Sequence, residues 1–102
     1  MDSTLLEALL AKAKLTLRVT TDAFDDEIKD IIQAGYYDLS TRGVIMVQEE
    51  MELHPMLVRA IMTYVRLHFG DPEDPQRLKA SYDEQKGQLM ITSGFTRWEG
   101  ST

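Results

Sequence analysis

Phe24, Ile28, Ile31, Ile32, Gly35 and Leu39 recur at intervals of three and four residues. Residues at that spacing return to one side of a helix. This constrains the chain most: the segment of about 22–40 must be an amphipathic helix whose apolar stripe faces a core. Asp22, Asp25, Asp26 and Glu27 crowd its expected first turn, where carboxylates oppose the helix dipole favourably. Gly43 follows as a natural closing residue.

The same grammar predicts three more helices. One runs over about 3–15, with Ser3 as its cap and a stripe of Leu5, Leu6, Leu9, Leu10 and Ala13. The segment LRVTTD then breaks the periodicity. Another runs over about 55–69. Pro55 suits its first turn, where a missing N–H costs nothing. Leu57, Ile61, Tyr64, Val65 and Phe69 share a face that Val58 and Met62 widen, so this helix should be central. Gly70 ends it. The last runs over about 75–90, with Asp74 as N-cap, Pro75 as first residue, and Leu78, Tyr82 and Leu89 as a thin stripe. Gly87 costs up to about 1 kcal/mol relative to alanine inside a helix, so this helix should be the least stable. The fold class that follows is all-α. It is a compact bundle of about four helices with a long apolar inter-helix loop and an extended C-terminal arm. The domain division is 1–90 for the helical part and 91–102 for the arm.

The loop holds Val44, Ile45, Met46 and Val47 in a row, within TRGVIMVQEEMELHP. Burying such side chains yields about 1.5–3 kcal/mol each, and leaving them exposed invites aggregation. Phe95 and Trp98, in the polar tail ITSGFTRWEGST, raise the same question. Either these residues fold back over the chain's own core, or they contact another subunit.

Composition excludes several classes. A chain of 102 residues is one ordinary domain with a modest core. The stretch MDSTLLEALLAKAK lacks the basic and long apolar regions of a signal peptide, and no apolar run is long enough for a membrane. With no cysteine there is neither a disulfide framework nor a thiolate site. A net charge of −6 and 11 scattered Lys and Arg argue against a nucleic-acid grip.

Candidate chemistry is thin. DAFDDEIKD holds five carboxylates. Asp22, Asp26 and Asp30 lie four apart, a spacing for Mg²⁺ or acid–base work; the plainer reading is a solvated helix start. His54 and His68 are too few and too distant for a zinc site. DPEDP (71–75) reads as a stiff turn. Of Tyr36 and Tyr37, one should pack beside the stripe and the other sit half exposed. Arg59 and Arg66, seven apart on one helix face, either meet a neighbouring chain's carboxylates or stay solvated. No catalytic triad or phosphate-cradling glycine motif is present, so the chain is not expected to be an enzyme and needs no cofactor or metal.

Read together, LRVTTDAFDDEIKDIIQAGYYDLSTRGV and HPMLVRAIMTYVRLHFGDPEDPQRLKASYDEQKGQL resemble the small head–tail connector (adaptor, or head-completion) proteins of tailed bacteriophages. The matching elements are an LR-V-T turn, F-D-x-E-I at the second helix, D-L…G-V at its close, then P…A-I…Y-V…F-G. The resemblance covers roughly 5–90; Gly87 and the tail from Ile91 depart from it. It implies a virion protein of the neck, assembled in the host cytoplasm. Such a protein forms a homo-oligomeric ring, matching the portal in symmetry, that extends the DNA channel. Its partners would be further copies of itself, the portal protein, a downstream neck or tail protein, and DNA passing without sequence-specific binding, but no membrane. Val44–Val47, Phe95 and Trp98 would then be subunit or portal interface, and Arg59 and Arg66 inter-subunit ion pairs. The alternative is a small helical regulatory or protein-binding module.

Overall fold

A computed structural model describes residues 3–41 and 55–91. These form four helices: α1 (Ser3–Leu17), α2 (Asp25–Thr41), α3 (Pro55–His68) and α4 (Pro75–Ile91). There is no strand among the described residues, and no helix is long and apolar enough to cross a membrane. The all-α bundle is as the spacing predicts.

α3 is the hub, touching each of the other three helices. Leu57, Ala60, Ile61, Met62 and Val65 are buried on it. Thr63 is buried too, and its hydroxyl donates to the Arg59 carbonyl (3.0 Å), so that hydroxyl is satisfied. Leu9, Leu10 and Ala13 of α1, Ile28, Ile32 and Leu39 of α2, and Tyr82 and Leu89 of α4 complete the core. Leu5 and Leu6 pack half-buried against it. Gly35 makes room on α2 for the Tyr64 ring of α3: a Cβ there would lie 2.9 Å from Cδ1 of Tyr64.

The helix ends carry their own chemistry. α1 closes in a Schellman pattern, with the Val19 N–H donating to the Lys14 carbonyl and the Arg18 N–H to that of Leu15. Arg18 takes the left-handed position (φ 61°) usually given to glycine. α2 begins three residues later than its acidic run predicts. The Thr21 hydroxyl accepts from the Ala23 N–H, and the Asp25 N–H donates to the Asp22 carbonyl. That turn leaves Asp22 ahead of the helix. The Phe24 carbonyl accepts the first helical bond, from Ile28. Phe24 therefore stands at the edge of its stripe, 43% exposed, with its ring edge-on to Phe69 at 5.7 Å. Gly70 (φ 68°) ends α3. The Asp74 carboxylate accepts from the Arg77 N–H (3.2 Å), so Asp74 and Pro75 start α4 as expected.

Candidate functional site

The acidic start of α2 is spent on holding α1. Lys14 pairs with Asp22 at 2.8 Å and with Asp25 at 2.9 Å, and Lys29 reaches back to Glu7 at 2.8 Å. The bond to Asp22, then that to Asp25, raises the Lys14 pKa; the same Lys14 bond lowers that of Asp22. Glu7 raises that of Lys29. Asp22 is thereby tied to α1 from ahead of the helix that carries Asp26 and Asp30. Among the described residues no group of three or more His, Asp or Glu is set to hold a metal ion.

His54, like Val44–Val47, Phe95 and Trp98, lies outside the described residues. His68 ends α3 exposed, its ring 4.2 Å from that of Tyr64. Tyr36 is half-buried and Tyr37 is 70% exposed, so the pair divides as its position on α2 predicts.

α4 is tied across the bundle by a polar clasp that the sequence reading missed. The Tyr82 hydroxyl donates to Asp38 Oδ2 at 2.6 Å, and Lys86 Nζ donates to the same oxygen at 3.2 Å. Lys86 also sits over the Tyr82 ring, 4.9 Å from its centre. Burial, then the bond to the Asp38 carboxylate, pushes the Tyr82 hydroxyl far above the usual tyrosine range. Tyr64 stands between Tyr82 (5.2 Å) and His68, and burial raises its pKa as well. Tyr82 and Lys86 are one turn apart, a legible pair. Their partner Asp38 is 44 and 48 residues away, and no local pattern points to it.

Two clefts beside α3 and α4 form the candidate interaction surface. The larger of the two, about 670 Å³, lies between the close of α1, the 70–74 turn and the start of α4; Arg66 and Arg77 line it together with the acids Asp71, Glu73 and Asp74. The smaller, about 280 Å³, is lined by Met56 and Arg59 of α3 and Ser81, Glu84, Gln85 and Gln88 of α4. Ser81 lines both. Arg59 and Arg66 thus stand on one exposed face, as their spacing predicts, and Arg77 joins them from α4. Lys14, Lys29, Lys79 and Lys86 are paired with carboxylates. The guanidinium groups of Arg59, Arg66 and Arg77 have no such partner among the described residues.

The two clefts bring basic and acidic side chains together at the surface. No curated protein and no solved structure matches the chain. A family model described as "Phage connector protein" matches residues 9–96. That span takes in α1 from Leu9 onward and the whole of α2, α3 and α4, and the chain belongs to the phage connector protein family.

Proposed function

We propose that this chain is a structural head–tail connector of a tailed bacteriophage, with no catalytic role. Copies of it form a ring under the portal, extend the DNA channel and dock the next neck or tail component. It resides in the virion neck and assembles in the host cytoplasm. The family match over residues 9–96 is the observation that carries this reading. The all-α architecture agrees with it.

The charge balance supports the channel role. At −6 the chain offers passing DNA few counter-charges, and each phosphate contact needs a Lys or Arg. The apolar residues Val44, Ile45, Met46 and Val47, with Phe95 and Trp98 of an arm over 91–102, are assigned to subunit or portal contacts. Association would bury them, at about 1.5–3 kcal/mol for each full side chain.

Native mass across a concentration series, alone and with portal protein, tests the ring. A closed multimer of high order is expected. A strict monomer under both conditions, together with absence of the chain from intact virions, refutes the reading. Replacing Val44, Ile45 and Val47 with Ser should leave the helices folded and block assembly or docking; unaltered assembly removes that segment from the interface.

A further inference from the structure

α1, α2 and α3 each pack against the other two, whereas α4 packs in strength on α3 alone. The first three helices therefore close on one another without the fourth: Leu9, Leu10 and Ala13 of α1 and Ile28, Ile32 and Leu39 of α2 share one core with α3. Among the described side chains α4 adds only Tyr82 and Leu89 to that core. The rest of its inward side is mixed, with Leu78, Ser81, Gln85 and Lys86 half-buried. Burial of an apolar face is what fixes a helix to a bundle, so α4 is the helix held least by burial.

The two flanks of α4 differ. Arg77, Ser81, Glu84 and Gln88 recur along one flank, and both clefts open there. On the other side Tyr82 and Lys86, one turn apart, donate to the same oxygen of α2, Asp38 Oδ2, at 2.6 and 3.2 Å. The turn over 70–74 joins α4 to α3. Gly70 is exposed there with φ 68°, and no atom lies within 4 Å of the place a Cβ would take. Pro72 and Pro75 have no N–H with which to tie that turn down.

We propose that Asp38 is a latch on a hinged helix: α4 opens from the other three helices as one unit about the 70–74 turn, and the paired bonds to Asp38 set how often it does so. Openings of one such unit require less free energy than global unfolding. Opening uncovers Tyr64, whose ring lies 5.2 Å from that of Tyr82. The chain can thus change the surface of its central helix while α1, α2 and α3 stay packed. The device belongs to the single chain and does not depend on ring formation.

Native-state amide hydrogen exchange of the dilute full-length chain, read by NMR, tests this in wild type, Asp38→Asn and Tyr82→Phe. A detached helix of 17 residues is marginal in water, so the amides of α4 exchange when it opens. In wild type the interior amides of α4 should exchange as one group, with a shared dependence on low urea, about tenfold or more faster than the slowest amides of α3. Both substitutions should speed that group about tenfold, since each weakens or removes a bond to a carboxylate. Lys29→Gln breaks the ion pair to Glu7, away from the latch, and should leave the α4 rate unchanged. Exchange of α4 and α3 in one common step, in wild type or in either latch variant, overturns the separate opening. An α4 rate unmoved by both latch substitutions, or moved equally by Lys29→Gln, overturns the role of Asp38.

Discussion

Replacing Tyr82 with Phe removes one oxygen from the clasp that joins α4 to α2. Tyr82 is only 4% exposed, so the ring stays packed against Tyr64 and the core keeps its volume. The loss is one short hydrogen bond, 2.6 Å, to a half-buried carboxylate. Bonds to charged groups contribute about 1.5–3 kcal/mol. Asp38 keeps Lys86, so the lower half of that range applies, about 2 kcal/mol. With an unfolding entropy of about 0.2 kcal/mol/K for a domain of this size, the melting temperature should fall by roughly 10 °C. The pH profile supplies a second reading. The Tyr82 pKa is raised in the folded state, so the folded chain favours the neutral phenol. Its stabilisation is full below the ordinary tyrosine value of 10.0 and is lost as pH rises further. The gap between wild type and Tyr82→Phe should therefore be widest below pH 10 and narrow above it. Thermal melts from pH 7 to 11, followed by circular dichroism, measure both. A melting temperature within about 2 °C of wild type at pH 7, or a gap that does not close at high pH, refutes the argument.

Gly35→Ala should destabilise by about 1 kcal/mol. The new methyl meets a Tyr64 ring already flanked by Tyr82 and His68, and this overpacking exceeds the gain in helix propensity. Gly87→Ala meets no atom within 4 Å and should stabilise α4 by about 0.5–1 kcal/mol; urea midpoints for the two variants should move in opposite directions. Arg18→Gly relieves a left-handed residue at the close of α1 and should add about 0.5–1 kcal/mol, read from the same titrations. Asp74→Ala removes the cap of α4 and should cost about 1 kcal/mol, with faster amide exchange in the first turn of α4.

Helix number, order and core faces were legible because they are local properties. Apolar residues at intervals of three and four declare a helix and its buried side together, as in the stripe Ile28, Ile32, Gly35, Leu39. Capping is local too, and Asp74, Pro75 and Gly70 do what their positions announce. The start of α2 was less legible. Thr21, Asp22 and Asp25 are all capping types, and Lys14, on the preceding helix, takes both carboxylates. The seven-residue spacing of Arg59 and Arg66 marked a shared face. That Arg77 of α4 lines the same cleft as Arg66, among Asp71, Glu73 and Asp74, follows only from how the helices pack. The Tyr82–Asp38–Lys86 clasp belongs to the same class. Its partners are 44 and 48 residues apart, and only helix packing brings them within hydrogen-bond reach. Sequence alone thus determines which residues must be hidden, since burial is a matter of periodicity and side-chain chemistry. Tertiary structure decides which polar groups find one another, since that depends on distances set by the packed core between them.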